Sequence, residues 1–297
     1  MTDAPLRTEW TEAMRRGVTP EPAALRAHLR AVHHDHPGFT EECAGDCRDS
    51  AGRTSYEWLV ETVDTALRST VLDLACGSGR LLALCADALP PETRLIGVDM
   101  SPDELALAAR RLPPGRAELH EGQAQDLDCI ASGSVDFALC HWALTLMDPV
   151  APVLGELARV LAPDGRFAAI VDGAMATAPG YEAVHDVIYD HVQKVLPVYG
   201  TVDLGDPRIR SANDLEMLAR DVFPMARIVI EPSVVSMSGP PAAVAREAAG
   251  FFYAAFVLSP EGRDAMLDDL TSLLARTAKG GTALFSMPIN RLVVDLA

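Results

Sequence analysis

A buried strand that ends in an acid and leads into a glycine turn gives the most specific chemical signal in the 297 residues. Residues 71–80 read VLDLACGSGR, with Asp73 in the strand and Gly77 and Gly79 in the turn. A dinucleotide loop would place a third glycine where Leu82 stands, and no Gly-Lys-Ser/Thr follows as in a phosphate-binding loop. A carboxylate at this point repels a pyrophosphate and attracts an ammonium group. The turn therefore favours a ligand with a positively charged tail.

A second acid, Asp99, ends the next predicted strand, twenty residues after Gly79. A carboxylate at that point can accept two hydrogen bonds from the hydroxyls of a ribose. Together the two acids indicate a nucleoside that carries a cationic, amino-acid-like tail. S-adenosylmethionine has this structure.

Five motifs follow one another in an order and spacing known from one family. They read VLDLACGSGRL, LIGVDMSPDELALA, EGQAQDL, VDFALCHWAL and LGELARVLAPDGRF. Over roughly residues 55–175 this pattern resembles class I S-adenosylmethionine-dependent methyltransferases, above all the menaquinone/ubiquinone-methyltransferase-like group. The added helices and the Arg-rich, Lys-poor composition are similar to bacterial natural-product methyltransferases. The resemblance implies an α/β fold with a doubly wound, mostly parallel, seven-stranded Rossmann-like sheet.

The family's cofactor contacts carry over to matching positions of this chain. The resemblance implies a cofactor-binding set of Tyr56, Asp73, Ala75, Gly77, Gly79, Asp99, Met100, Gln123, Ala124 and Cys140. Two of these positions depart from the family pattern, since Ala75 replaces a glycine and Gln123 replaces an acid that receives the adenine amino group. An amide oxygen can still accept that hydrogen bond, so we expect binding to be retained. Taken singly, these residues would also suit turns, caps or core positions.

Two residues at the predicted carboxyl ends of strands are candidates for a catalytic base. His141 follows the fourth strand, and its ordinary pKa of about 6.5 suits proton transfer at neutral pH. Asp172 ends the fifth strand at the same edge of the sheet. A hydroxyl acceptor needs such a base, whereas an amine has only to be deprotonated before it binds. The alternatives remain a packed histidine beside Trp142 and a turn acid at position 172.

Alternating strands and helices with short connections must position these residues. The pattern predicts strands at Thr70–Leu74, Arg94–Asp99, Ala117–Glu121, Val135–Cys140 and Phe167–Asp172. Because parallel strands end at one edge of a sheet, the candidate residues are expected to meet there. Ser101 and Pro102 predict the cap and first residue of one helix. A turn at Pro163-Asp164-Gly165 is predicted between a helix at Val150–Leu161 and the fifth strand.

Mostly helical flanks divide the chain into three predicted segments. Residues 1–67 are expected to form a helical lid, residues 68–175 the cofactor-binding core, and residues 176–297 the rest of the sheet with helical substrate-cap insertions. Predicted helices at Ala242–Leu258 and Glu261–Ala278 suit a pocket for an apolar or aromatic substrate. Core packing or a dimer contact would explain their apolar character equally well.

One helix after the fifth strand carries a possible binding face. Tyr181, His185 and Tyr189 are spaced by four residues, so they share one side of the predicted helix. This side could line a substrate pocket. Packing against the sheet is the simpler interpretation.

A net charge of −17 limits the partners of the protein. Such a surface repels polyanions, so we expect a small-molecule substrate and no nucleic acid. The N-terminus is not a signal peptide, and the longest apolar stretch, Ala248–Leu258, is too short to span a membrane. Four of the six cysteines lie in predicted core elements, which suits free thiols in a reducing cytoplasm. We therefore expect a cytoplasmic monomer or homodimer without a membrane partner.

The N-terminal segment contains possible metal ligands. His33, His34 and His36 precede Cys43 and Cys47. Imidazoles and thiolates bind zinc, but a C-x3-C spacing with an acidic, proline-broken linker is not a standard zinc pattern. We expect no metal here and regard the segment as part of a mobile lid.

Three functions are compatible with the cofactor motifs. The first is a methyltransferase that acts on a small, apolar or aromatic molecule, with a role in natural-product biosynthesis. The second is an enzyme of the same fold that binds the cofactor but catalyses a step such as cyclisation. The third is a protein methyltransferase or a module that only senses the cofactor. Conversion of S-adenosylmethionine to S-adenosylhomocysteine distinguishes the first function from the second.

Overall fold

The chain builds a seven-stranded sheet. The computed structural model describes residues 5–64, 69–200 and 204–296. The strands are β1 (Thr70–Leu74), β2 (Arg94–Asp99), β3 (Ala117–Glu121), β4 (Val135–His141), β5 (Leu161–Asp172), β6 (Arg227–Gly239) and β7 (Ala283–Asp295). The first five predicted strands are confirmed, although β5 begins earlier than expected.

The strand order explains why a ligand site is expected at one edge of this sheet. The order is β3-β2-β1-β4-β5-β7-β6. Strands β1 to β5 are parallel, and β7 runs antiparallel to β5. The chain reverses its direction across the sheet between β1 and β4, and right-handed crossovers then place helices on both faces. The predicted doubly wound α/β fold is confirmed, and β1 and β4 form the switch point where such folds bind ligands.

Eleven α-helices lie within the described ranges. They are α1 (Glu9–Arg15), α2 (Pro22–Asp35), α3 (Phe39–Asp46), α4 (Ser55–Val60), α5 (Arg80–Ala88), α6 (Pro102–Arg111), α7 (Ala151–Val160), α8 (Tyr181–Val195), α9 (Ala212–Val222), α10 (Pro241–Phe251) and α11 (Pro260–Thr277). In these parts of the chain, no helix combines the length and the apolarity that crossing a bilayer requires.

Local chemistry fixes the start of α6, which follows β2 directly. The Ser101 hydroxyl accepts a hydrogen bond from the Glu104 backbone N–H at 3.4 Å, and Pro102 is the first helical residue. Asp103 and Glu104 lie in the first turn, where acids are favoured by the helix dipole. The predicted cap is therefore confirmed.

Apolar side chains from neighbouring strands form the core beneath the carboxyl edge. One buried cluster contains Leu72 and Leu74 of β1, Val98 of β2, Ala138 of β4 and Phe167 of β5. Burying a large aliphatic or aromatic side chain contributes roughly 1.5–3 kcal/mol. The strand ends that carry the candidate residues therefore stand on a closely packed base.

Two predicted element boundaries are corrected by the structure. The turn at 163–165 lies inside β5, because β5 pairs with β4 from Leu161 onward and its register shifts opposite Val135 and Phe137. The shift accommodates Asp164, whose φ of +62° does not fit a regular strand. The predicted helix Ala242–Leu258 is two elements, since α10 ends at Phe251 and a 3₁₀ segment covers Tyr253–Val257.

The chain forms two compact units. Unit 1 comprises residues 1–54, 175–203 and 234–288, and unit 2 comprises residues 55–174, 204–233 and 289–297. Unit 2 holds β1 to β5 with α4 to α7 and α9, whereas unit 1 holds α1 to α3, α8, α10 and α11. The three segments expected from sequence remain a prediction, and the expected boundary at residues 67–68 lies outside the described residues.

Candidate functional site

The turn after β1 adopts a backbone conformation that side chains disfavour. Ala75, Gly77 and Gly79 have φ angles of +58°, +49° and +76°. Left-handed backbone costs a non-glycine residue roughly 1–2 kcal/mol, so Ala75 is the strained member of the turn. A Cβ on Gly79 would lie 2.8 Å from the Ala108 Cβ of α6, whereas a Cβ on Gly77 would meet only Glu104 Oε2 at 3.8 Å. Gly79 thus permits helix packing, and Gly77 leaves its backbone approachable.

Gly79→Ala is expected to lower the free energy of unfolding by about 2–3 kcal/mol, because the new methyl group overlaps Ala108 and φ is positive. Gly77→Ala is the matched control in the same turn. It should cost only the backbone preference of about 1–2 kcal/mol. Urea unfolding measures both values, and a Gly79→Ala cost no greater than that of Gly77→Ala would contradict the packing role of Gly79.

The two acids named from sequence stand on neighbouring strands beside this turn. Asp99 accepts backbone hydrogen bonds from Gly77 and Ser101, each at 2.8 Å, and so connects the turn to the start of α6. Asp73 is 1% exposed, and its Oδ2 has no hydrogen-bond donor within the described ranges. Burial, and after it the charge of Asp99, raises the pKa of Asp73 well above its ordinary value. A buried acid beside another acid destabilises the fold unless a cation joins it.

S-adenosylmethionine fits this pair of acids. Its ammonium group would give Asp73 Oδ2 the donor and the positive charge that the carboxylate lacks among the described residues. Ribose hydroxyls are donors that Asp99 can accept in addition to its backbone bonds, because each carboxylate oxygen has two lone pairs. The turn between the acids exposes backbone at Gly77, where a bulky amino-acid tail can approach.

The residues expected near adenine follow β2 and β3 at the same edge. Met100 and Ala124 are half-buried, and Gln123 is exposed. The Gly122 backbone N–H donates to the Asp99 carbonyl at 3.0 Å, so the segment that leads to Gln123 is attached to the end of β2. These positions are compatible with contacts to a planar base, and their role stays a prediction.

His141 ends β4 within a group of rings. Its ring stacks on Tyr56 with centroids 3.6 Å apart, and its Nε2 lies 2.9 Å from the Ser55 hydroxyl. Burial, and to a smaller extent the positive charge of Arg80, lowers the pKa of His141 to about 3. The guanidinium of Arg80 lies 5.4 Å from the Tyr56 ring centre. The imidazole is therefore neutral at physiological pH and held by α4.

Asp172 ends β5 and binds two side chains. Its Oδ1 accepts a hydrogen bond from Trp142 Nε1 at 2.7 Å, and its Oδ2 lies 3.5 Å from Arg210 Nε. Burial raises the pKa of Asp172, and the Arg210 charge and the Trp142 bond partly oppose this. Trp142 has a φ of +62°, so the bond to Asp172 fixes an indole on a strained backbone next to His141.

Cys140 precedes His141 and is fully buried. Burial, followed by the charge of Asp73, raises the pKa of its thiol to about 12. The thiol is therefore protonated at neutral pH and is no nucleophile. If Cys140 contacts the cofactor as predicted, it does so by packing of a neutral side chain.

The face of α8 named from sequence belongs to unit 1. Tyr181 is buried, while His185 and Tyr189 are half-buried and stack with centroids 3.9 Å apart. Tyr181 also lies 6.0 Å from Phe285 of β7, ring centre to ring centre. Packing thus accounts for Tyr181.

Histidine and cysteine side chains of the N-terminal segment contact other side chains of the protein. His33 Nε2 lies 2.8 Å from the Tyr253 hydroxyl, and the buried thiols of Cys43 and Cys47 contact each other. Across the described ranges, no group of three or more His, Cys, Asp or Glu side chains could hold a metal ion. All six cysteines are free, and Cys129 is exposed.

The residues that contact the candidate bases lie far from them in sequence and were not predicted. Ser55 lies 86 positions before His141, and Arg210 and Asn290 reach Asp172 from distant parts of the chain. Ser55 is adjacent to Tyr56, which was named, but no local pattern connects it with His141. Contacts of this kind depend on the register between elements, which the sequence does not show.

The chain matches the family model described as a methyltransferase domain over residues 71–165. Residues 71–165 therefore carry a methyltransferase domain. This span runs from β1 to the irregular start of β5 and contains the glycine turn, both acids and His141. The resemblance stated from the five motifs is therefore confirmed.

Curated relatives are similar to the same part of the chain. The demethylmenaquinone methyltransferase of Symbiobacterium thermophilum is 35% identical over 101 residues, which are 33% of this chain and 40% of that protein. The demethylmenaquinone methyltransferase of Listeria welshimeri is 28% identical over 135 residues, which are 44% of this chain and 55% of that protein. The chain thus matches about half the length of these relatives or less.

Solved structures share the fold over a longer stretch. The YcgJ protein from Bacillus subtilis has a TM-score of 0.54 at 14% identity and covers 82% of this chain and 97% of its own. Phosphoethanolamine N-methyltransferase 2 from Haemonchus contortus, solved with S-adenosyl-L-methionine, has a TM-score of 0.55 at 15% identity and covers 92% of this chain and 60% of its own. The structural similarity therefore covers more of the chain than residues 71–165, which match the family model.

Proposed function

We propose that this protein transfers a methyl group from S-adenosylmethionine to a small molecule. The observation that carries the proposal is Asp73, a buried acid with an unsatisfied oxygen, beside Asp99 and the glycine turn in a methyltransferase domain. The bound cofactor supplies an electrophilic methyl group on a sulfonium, and transfer is an in-line displacement that needs an aligned nucleophile. Asp73 and the backbone near Gly77 would hold the amino-acid tail, and Asp99 the ribose.

The acceptor is proposed to be uncharged and apolar or aromatic. The net charge of −17 disfavours nucleic acids and other polyanions. Within unit 2, the rings of Tyr56 and Trp142 lie 3.6 and 5.2 Å from the His141 ring, centroid to centroid, and such rings favour an aromatic acceptor. A role in natural-product biosynthesis, a cytoplasmic location and a monomeric or dimeric state remain part of this proposal.

His141 is the proposed base, with Asp172 second. In the proposed tautomer, Nε2–H of His141 donates to the Ser55 hydroxyl, and Nδ1 accepts the proton that a hydroxyl acceptor loses. The neutral imidazole has the protonation state that a base requires. The ordinary pKa of about 6.5 that favoured His141 from sequence is not retained, and at about 3 the imidazole is a weak base. The pKa of Asp172 is raised, and a carboxylate with a higher pKa is a stronger base.

Turnover should show no titration of His141 between pH 5 and 7. With a pKa of about 3, only about one imidazole in a hundred is protonated at pH 5, and that fraction falls as the pH rises. The pH profile of kcat for the wild type and for His141→Gln measures this. A limb near pH 6.5 that occurs in the wild type and is absent from His141→Gln would contradict the neutral histidine.

The proposed function is tested by conversion of S-adenosylmethionine to S-adenosylhomocysteine with a panel of phenols, naphthols and aromatic amines. Acceptor-dependent formation of S-adenosylhomocysteine, with mass gain of one methyl group on the acceptor, is expected. Product formation without S-adenosylhomocysteine would instead indicate a non-methylating enzyme of the same fold. Cofactor binding without turnover of any acceptor would contradict the acceptor class proposed.

A further inference from the structure

Two buried polar atoms of unit 1 have no hydrogen-bond partner. Among the described side chains of this unit, Nε2 of His28 and the hydroxyl of Tyr199 are the buried nitrogen and oxygen atoms left unsatisfied. The two residues are 0% and 1% exposed. Nδ1 of His28 lies 3.0 Å from the Thr8 hydroxyl, so one side of the imidazole is already fixed. An unsatisfied buried group lowers stability, and each such group in a native fold needs an explanation.

Both atoms belong to rings that contact one tryptophan. The His28 ring stacks on Trp10 with centroids 4.7 Å apart, and Tyr199 meets Trp10 edge-on at 5.4 Å. Trp10 is 1% exposed. The unsatisfied atoms therefore occur together in a single buried aromatic group, which we call the Trp10 cluster (Trp10, His28 and Tyr199).

A row of rings joins this cluster to the surface of unit 1. Tyr199 contacts Tyr189 with centroids 5.6 Å apart, and Tyr189 stacks on His185 at 3.9 Å. His185 and Tyr189 are half-buried, whereas Tyr199 is not exposed. Gly200, with a φ of +87°, lets the chain pass close to Tyr189, where a Cβ would approach the ring to 2.9 Å. The half-buried rings of His185 and Tyr189 therefore offer contacts to an aromatic molecule that approaches Tyr199.

The cluster suits an uncharged polar group. Burial lowers the pKa of His28 to about 4 and raises the pKa of Tyr199 well above its ordinary value, so both side chains are neutral at pH 7. A charged ligand group would lose its hydration here without gaining a counter-charge from either ring. A neutral imidazole nitrogen and a phenol hydroxyl bind a hydroxyl or a carbonyl instead.

We propose that the Trp10 cluster is a binding site for a small aromatic molecule that carries an uncharged hydroxyl or carbonyl group. His28 Nε2 and the Tyr199 hydroxyl hold this group, and Trp10 and Tyr189 contact the ring. The site lies within unit 1 and goes beyond the proposed methyl transfer. It also explains a tyrosine at position 199, where phenylalanine would fill the same space without an unsatisfied hydroxyl.

Phenol and toluene are the probes, because they have nearly the same shape and only phenol forms hydrogen bonds. The full-length wild type is titrated with each, and binding is followed through the indole N–H signals of its three tryptophans by NMR. Phenol is expected to bind about tenfold more tightly than toluene. In Tyr199→Phe the preference should fall to about twofold or less, while Tm without ligand rises by roughly 2 °C or more.

Tyr253→Phe is the matched control in the same unit. Its hydroxyl already has a partner, His33 Nε2 at 2.8 Å, so the same substitution should lower Tm and keep the phenol preference. Equal binding of phenol and toluene to the wild type would overturn the site, as would a preference that survives in Tyr199→Phe. Absence of phenol binding would mean that the two atoms hold an ordered water only. Titration of each variant with S-adenosylhomocysteine separates these results from the proposed function, because that ligand is assigned to unit 2.

Discussion

Asp99→Asn is expected to weaken the binding of S-adenosylmethionine by about a hundredfold or more. The carboxylate is assigned two hydrogen bonds from the ribose, and each hydrogen bond to a charged group contributes about 1.5–3 kcal/mol. Asp99 also accepts hydrogen bonds from the backbone N–H groups of Gly77 and Ser101, each at 2.8 Å. In the asparagine variant, the amide NH2 group would face one of these N–H donors, and that hydrogen bond would be lost. The glycine turn and the ribose contact would therefore weaken together. Isothermal titration calorimetry with the full chain measures the change.

Asp136→Asn is the control for Asp99→Asn. The Asp136 carboxylate also accepts a backbone hydrogen bond, from Thr70 at 2.8 Å, but it lies at the start of β4, away from the carboxyl edge. This variant should bind the cofactor as the wild type does. If both variants lost affinity to the same extent, the loss would reflect general damage to the sheet. If Asp99→Asn bound normally, the ribose assignment would be wrong.

Asp73→Asn should make the protein more stable and the cofactor complex weaker. Burial and the Asp99 charge raise the pKa of Asp73, so ionising this acid in the folded state costs free energy at neutral pH. Removing the charge is expected to raise Tm at pH 7.5 by several degrees, roughly 2–4 °C for each kcal/mol gained. The cofactor's ammonium group loses its charged partner, and affinity should fall about ten- to a hundredfold.

The pH dependence gives Asp73→Asn a second readout. An acid whose folded pKa is raised lowers stability above its unfolded pKa, and this effect disappears as the pH falls below that value. The stabilisation of Asp73→Asn should therefore shrink as the pH approaches 4. Asp206→Asn is the comparison with the opposite sign, because hydrogen bonds from Arg208 lower the pKa of Asp206 and its replacement should lower Tm at pH 7.5. A lower Tm for Asp73→Asn at pH 7.5 would contradict an uncompensated buried charge.

Sequence patterns predicted the parts of this protein that local chemistry determines. Asp73, the glycine turn and the cap at Ser101 depend on residues close in sequence, so strand and turn propensities suffice. The parallel order of β1, β2 and β4 follows from short helical crossovers. The position of Asp99 beside Gly77 could be expected because both follow adjacent strand ends.

Contacts across long sequence distances could not be predicted. Ser55 meets His141 only because α4 packs on the end of β4, and the low pKa of His141 depends on that burial. The irregular β5 was misjudged because Asp164 and Gly165 form a turn within a continuous strand. The unsatisfied atoms of the Trp10 cluster are visible only once every neighbour of His28 and Tyr199 is known.

Titration of the wild type with S-adenosylmethionine and S-adenosylhomocysteine tests the central claim most directly. We expect one site per chain with micromolar affinity for both ligands, and loss of that binding in Asp99→Asn. Circular dichroism of the same samples shows that the protein is folded. A folded wild type that binds neither ligand, with or without an aromatic acceptor present, would contradict the assignment of the glycine turn and its two acids as a cofactor site.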